Sequence, residues 1–488
     1  MGRISFFDHN GNPLAEGELL VQKDLAKTFS LIAEKGAEVF YQGEIGQAIA
    51  ETVQEHNGSM TLTDLEQYQI SEHDPIWGNY QGYHIATMPP PSSGGLTMLQ
   101  LLNMAEELEL TQYDVRSSEK YHYLAEGMRL AYADRGAYMG DPEYVDVPKK
   151  GLLAPEYISE RSRLIEPDRA SEAVQHGDPW QYEGREAPST AMQVDDKKEG
   201  ETTHFTVADQ WGNFVSYTTT IEQVFGSGLV VDDYGIVLNN ELTDFDAIPG
   251  GANEVQPGKR PLSSMTPTIV FNEDGRLFMT VGSPGGATII SSVMHVILHV
   301  IGYELTLKDA IEEPRIYNHA TSETRWESGV PEDARAILLQ MGHQLEQASV
   351  EIGNVNSIIF DSQHGLYIGA ADSTREGVAI GLDSTSEPDP DPEPEPDPDP
   401  DPDPDPQPDP DSEQDNDDPE KDKSPAPGEG DDGSGGSKKP ATGGGSEQEG
   451  SKLPDTATNY YLWLAIGSGL LLLAGVILFI KRRKNVVS

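Results

Sequence analysis

Glu201-Thr202-Thr203-His204-Phe205-Thr206-Val207 is the stretch on which the reading of this chain turns, with Asp209, Gly212-Asn213 and Thr218-Thr219-Thr220 close behind it. β-Branched and aromatic residues, then Gly, Asp and Asn, then a second β-rich run predict strands over 203–208 and 214–220. The preceding residues 170–201 are polar and rich in Gly, Pro, Glu and Lys. They predict an exposed loop that runs into the first strand and is able to bend and be cut. Two threonines opening a strand more often pack than react, so their chemistry rests on what surrounds them.

Working outward, further β-rich runs stand at 235–238, 268–271, 278–281 and 357–360, bounded by Gly, Asp and Asn. Upstream, Leu25, Phe29, Ile32 and Val39 recur at helical spacing, which predicts a helix over 24–57 that stops at Asn57-Gly58. Residues 120–138 read the same way, and another helix is expected over 287–299, after a glycine pair. Helices, then strands, then a helix against strands predict a layered α/β body that ends near Leu382.

The chain has 488 residues, no cysteine and a net charge of −50. Without cysteine there are no disulfides, thiolate metal sites or cysteine nucleophile. Residues 384–450 hold 23 acidic and 4 basic residues, net −19, and 451–488 hold 1 acidic and 5 basic, net +4; removing both from −50 leaves −35 for the body. An acidic body of this kind argues against nucleic acid as a partner, because phosphate contacts need a basic surface. No secretory signal opens the chain, since Met1-Gly2-Arg3-Ile4 has no apolar core.

The tail names a compartment. Glu387 to Asp411 alternates proline with Asp, Glu or Gln, which excludes helix and sheet and predicts an extended spacer. At about 3.1 Å per residue this repeat spans roughly 75 Å. The spacer as a whole covers 383–452. The 21-residue apolar run from Tyr460 to Ile480 is long enough to cross a bilayer, and Lys481, Arg482, Arg483 and Lys484 follow it at once. Leu453-Pro454-Asp455-Thr456-Ala457 stands just before the run. Over 453–488, pentapeptide, apolar span and basic tail resemble a sortase sorting signal of Gram-positive bacteria, except that the fifth residue is Ala457 where glycine is usual. That resemblance implies cutting between Thr456 and Ala457, joining of Thr456 to peptidoglycan by a sortase, and an extracellular, wall-anchored enzyme. A sorting signal requires export, so the beginning of the chain is expected to be missing.

TTHFTV at 202–207, NNELTDFDAIPGG at 239–251, NEVQPGKRPLSSMTPT at 253–268 and VGSPGG at 281–286 follow one another in order. With PPPSSGG at 89–95 and YADR at 132–135, they resemble the signature blocks of γ-glutamyltransferases, which are N-terminal-nucleophile hydrolases. The resemblance covers most of residues 5–382. It implies an αββα sandwich in which 1–201 is the C-terminal part of a large subunit and 202–382 a small catalytic subunit, the two forming a heterodimer after cleavage at Glu201–Thr202.

The same resemblance implies the site. Thr202 is the nucleophile, and the α-amino group freed by cleavage is its base. With a reference pKa near ~7.7–8.0, that amine is partly neutral at ordinary pH. Thr220 holds the Thr202 hydroxyl, and the Gly285 and Gly286 amides form an oxyanion hole. Glu222, Glu241 and Asp244 surround the α-ammonium of a γ-glutamyl group, and Ser263 and Ser264 take its α-carboxylate. No cofactor or metal is implied. The family's arginine for that carboxylate belongs to a region upstream of this chain, and 246–263 leaves no room for a lid loop. Expected donors are glutathione, glutamine or poly-γ-glutamate, and acceptors are water, amino acids or peptides. The competing class is an inactive, truncated wall protein.

Overall fold

The computed structural model describes residues 6–7, 11–186, 200–320, 323–374 and 377–382, all within the first of two units, Met1–Ser386. The spacer at 383–452 and the sorting signal at 453–488, with its apolar span 460–480 and the pentapeptide Leu453 to Ala457, lie outside the described residues. Among the described residues no helix is long and apolar enough to cross a membrane.

The helix expected over 24–57 is three helices, α1 (Lys23–Lys35), α2 (Glu38–Tyr41) and α3 (Glu44–Glu55). Two glycines cause the difference. Gly36 takes φ 73°, outside the helical region, and a Cβ at Gly43 would lie 2.8 Å from Val39 Cα. The stop itself falls where expected, with Asn57 at φ 65° and the Gly58 amide bonded to Val53 O.

A hairpin that the periodicity did not reveal follows, β1 (Ile76–Tyr80) with β2 (Tyr83–Thr87). Then come the buried α4 (Gly94–Glu107) and α5 (Ser118–Tyr138), whose N-cap Ser117 accepts from the Lys120 amide at 3.2 Å. Part of the loop expected over 170–201 is packed rather than exposed. Trp180 is buried beside Tyr138 and Leu152, because an indole gains more from burial than the polar residues around it lose.

The nucleophile candidate opens β3 (Thr202–Ala208), which pairs with β4 (Phe214–Thr220). Asp209 closes this hairpin by accepting from the amides of Trp211 and Asn213, while Gly212 takes φ 87°. Turn length sets register, and this turn sets Thr202 directly opposite Thr220. The strand expected over 235–238 is only the pairing of Ile236–Val237 with Val230–Val231. Downstream are β5 (Thr268–Phe271), β6 (Leu277–Gly282), α6 (Ile289–Ile297), β7 (Asn356–Asp361) and β8 (Leu366–Ala371).

The main sheet has six strands in the order β1-β2-β5-β6-β7-β8, all antiparallel. On one face Ile85, Val270, Met279 and Val281 meet Leu99 and Leu102 of α4 and Val293 and Met294 of α6. Each such aliphatic side chain contributes about 1.5–3 kcal/mol by leaving water. Successive strand residues point to opposite faces, so Thr280, between Met279 and Val281, faces the β3–β4 hairpin. There Thr206 Oγ1 donates to Thr280 Oγ1 at 2.8 Å, Ser216 Oγ to Val281 O at 3.1 Å, and Asn356 Nδ2 to His204 O at 3.2 Å. The body is thus mixed α/β, with helices on one face of the sheet and a hydrogen-bonded hairpin on the other.

Candidate active site

The first residue of β3 and the last of β4 meet through their hydroxyls, Thr202 Oγ1 to Thr220 Oγ1 at 3.2 Å. Thr220 Oγ1 also donates to the carbonyl oxygen of Glu201 at 2.9 Å and accepts from the Glu222 amide at 2.9 Å. A hydroxyl has a single proton. Since Thr220 gives its proton to Glu201 O, Thr202 is the donor to Thr220. One side chain therefore touches both the hydroxyl and the carbonyl on either side of the Glu201–Thr202 bond. The bond's geometry is held further by the Glu201 amide, which donates to Glu222 O.

Thr202, His204 and Thr206 lie on the inner face of β3. His204 stands on Gly282, where an added Cβ would collide with the ring, and its Nδ1 is 2.8 Å from Thr218 Oγ1. Burial pushes its pKa down to about 4, so it is neutral at ordinary pH. Thr202 has Thr220 rather than a histidine as its hydroxyl partner.

Thr202, Thr220, Glu222, Asp244, Ser263, Ser264 and Gly286 line one small cleft. Glu241 shares the single turn Glu241–Asp244 with Asp244, and Gly285 adjoins Gly286, so each stands beside a residue that lines the cleft. Glu222 is buried at φ 76°, a strained backbone for a side chain of this size, and accepts from Asn240 Nδ2. Asn253 Nδ2 ties the turn down through Asp244 O at 2.7 Å. Ser263 Oγ accepts from the Met265 amide at 3.1 Å.

The glycine pair needs its glycines. Gly285 takes φ 131° and Gly286 φ 57°, and a Cβ at Gly285 would meet Thr288 Oγ1 at 2.6 Å. Residues Gly286–Thr288 form a short 3-10 turn that leads into α6, the kind of helix start whose amides favour negative charge. Chemically the cleft combines threonine hydroxyls, carboxylates suited to a cation and serine hydroxyls suited to an anion.

Sequence reasoning missed Asn240, which orients Glu222, and Arg135 of α5, whose guanidinium donates to Ser264 Oγ at 2.9 Å. The YADR block at 132–135 was the available signal for Arg135, and NNELTDFDAIPGG at 239–251 that for Asn240. The same reasoning did not separate out Met265, Ala287 and Ile289 as cleft lining.

Residues 3–382 match the family described as Gamma-glutamyltranspeptidase, and residues 445–486 match the LPXTG cell wall anchor motif. The Bacillus subtilis (strain 168) glutathione hydrolase proenzyme is 59% identical over 375 residues, covering 77% of this chain and 64% of that protein. The glutathione hydrolase proenzyme of Bacillus subtilis subsp. natto is 58% identical over the same shares. The chain thus spans a little under two thirds of the length of these relatives. Among solved structures, the cephalosporin acylase from Bacillus halodurans superposes with a TM-score of 0.67 at 26% identity, covering 77% of this chain and 65% of that one.

Proposed function

The chain belongs to the gamma-glutamyltranspeptidase family, and from that premise we propose that it is a self-processing γ-glutamyl hydrolase and transferase with Thr202 as nucleophile. The observation that carries the reading is the chain of bonds from Thr202 Oγ1 through Thr220 Oγ1 to Glu201 O.

In the precursor, Thr220 polarises the Glu201 carbonyl by donating to it. Thr202 Oγ attacks that carbonyl carbon, the Glu201–Thr202 C–N bond breaks as the hydroxyl proton passes to the departing nitrogen, and the acyl group moves from nitrogen to oxygen as an ester. Water then opens the ester, leaving a Glu201 carboxylate and a free α-amine on Thr202. That amine, with a reference pKa near ~7.7–8.0, takes the hydroxyl proton in turnover.

In turnover Thr202 Oγ attacks the γ-carbonyl of the donor. The amides of Gly285 and Gly286 stabilise the oxyanion, a contribution of several kcal/mol for donors of this kind. The leaving amine departs with the proton, and water or an acceptor amine opens the γ-glutamyl ester. Glu222, Glu241 and Asp244 compensate the α-ammonium, and Ser263 and Ser264 bind the α-carboxylate. Two relatives named glutathione hydrolase proenzyme support glutathione as a donor. Under this reading 1–201 and 202–382 become the two subunits of an αββα sandwich. The wall-anchor match supports attachment to peptidoglycan through Leu453-Pro454-Asp455-Thr456-Ala457.

The test is electrophoresis of the purified protein under denaturing conditions, with N-terminal sequencing. Two fragments are expected, the smaller beginning at Thr202, and Thr202→Ala should abolish both cutting and turnover. An uncut protein that turns over γ-glutamyl donors would overturn the mechanism.

A further inference from the structure

We propose that Arg135, a side chain outside the cleft, is the positioning residue that makes Ser264 a hydrogen-bond donor and so sets the preference for substrates with an α-carboxylate. The proposal rests on the function reading above and deepens its carboxylate subsite.

Arg135 is only 2% exposed. Its Nε donates to Ser93 Oγ at 2.7 Å and its NH2 group to Ser264 Oγ at 2.9 Å. A guanidinium can only donate, so both serine oxygens must accept from it, and each hydroxyl then has one proton left to give. Ser93 gives its proton to Ser263 O at 2.8 Å. Ser264 lines the cleft, and among the described residues no acceptor takes its proton. That proton is therefore available to an anion in the cleft, and the positive charge behind the oxygen makes it a stronger donor.

The surroundings hold this polarity in place. Ser93 and Ser92 belong to the segment before α4, and Ser92 Oγ donates to Met265 O at 2.7 Å. Gly94 lets this segment close on the 263–266 segment, since a Cβ there would lie 2.1 Å from Thr266 Oγ1 and 2.6 Å from Met265 O. One turn before Arg135 on α5, Tyr132 OH donates to Ala287 O at 2.7 Å, next to the glycine pair. A single helix thus braces both the serine shelf and the start of α6. A lysine could not replace the planar fork that reaches Ser93 and Ser264 together.

The experiment compares kcat/KM for a γ-glutamyl anilide with that for the γ-aminobutyryl anilide, which lacks only the α-carboxylate. Arg135→Gln should lower the preference for the carboxylated donor about tenfold to hundredfold, seen in KM, the size expected for a charge-assisted bond. Ser264→Ala should lower it similarly, and adding Arg135→Gln to Ser264→Ala should change the preference little further. Self-cleavage at Thr202 reports that each variant is folded. A general packing role predicts instead that both donors lose equally and that the two substitutions add. Undiminished preference in Arg135→Gln, or full preference in Ser264→Ala whatever the Arg135 variants do, overturns the inference and leaves the function reading standing. Absence of any donor turnover by the cut, unsubstituted protein overturns both.

Discussion

Replacing Thr220 by valine keeps the β-branched shape that suits β4 and removes only the hydroxyl that touches both sides of the Glu201–Thr202 bond. Three bonds go with it, from Thr202 Oγ1, to Glu201 O and from the Glu222 amide. If these bonds mattered only for holding the precursor together, each would contribute about 0.5–1.5 kcal/mol, mostly as stability. A donor aimed at a carbonyl that becomes an oxyanion acts differently, since its bond strengthens as charge develops. Loss of one such donor costs about 2.7–4 kcal/mol, a hundredfold to thousandfold in rate. We therefore expect Thr220→Val to cut itself at least about a hundredfold more slowly, with Thr220→Ser recovering most of the rate. The assay is a time course of fragment appearance after purification at low temperature, with circular dichroism as a check on folding. A folded Thr220→Val protein that cuts within about tenfold of the parent rate would refute the assignment of Thr220 to the scissile carbonyl.

Asp244→Ala should lower donor kcat/KM about thirtyfold to thousandfold, the roughly 2–4 kcal/mol lost when a desolvated ammonium loses its carboxylate, while self-cleavage persists; equal losses for a normal and a des-amino donor would sink this role. Wall attachment predicts that detergent fails to release the protein from cells; release with 460–480 still attached would mean an ordinary membrane anchor. For stability, His204 is held neutral by burial, so its contribution is complete above its unfolded pKa near 6.5 and is lost as pH falls toward the folded value of about 4. Urea unfolding at pH 5 should yield about 2 kcal/mol less stability from this residue than at pH 8, and His204→Gln should shrink that difference.

What was legible in the sequence was local. The pairing of Thr202 with Thr220 needs only a 19-residue hairpin whose turn chemistry, Asp209 with Gly212-Asn213, is written between the strands. α5 was legible for the same reason, as an uninterrupted helical run. The single helix expected over 24–57 failed where apolar periodicity was followed past Gly36 and Gly43, whose backbone and packing end the helices. The β1–β2 hairpin and α4 went unread because the sheet buries them by pairing β2 with β5, a partner some 180 residues away.

The support of the site was hidden by the same rule. Ser93 and Ser264 are 171 positions apart, and nothing in either neighbourhood says that a guanidinium joins them. A charged residue on a helix is by default a surface residue, so Arg135 carries no local mark of burial. Its burial follows from the sheet's strand order, which carries the 263–266 segment back beside the start of α4. The Thr202–Thr220 contact can be read from a hairpin, whereas the Arg135–Ser264 contact exists only once the six strands have paired. Substitutions in PPPSSGG or YADR should accordingly alter which donor is chosen before they alter whether Thr202 can cut.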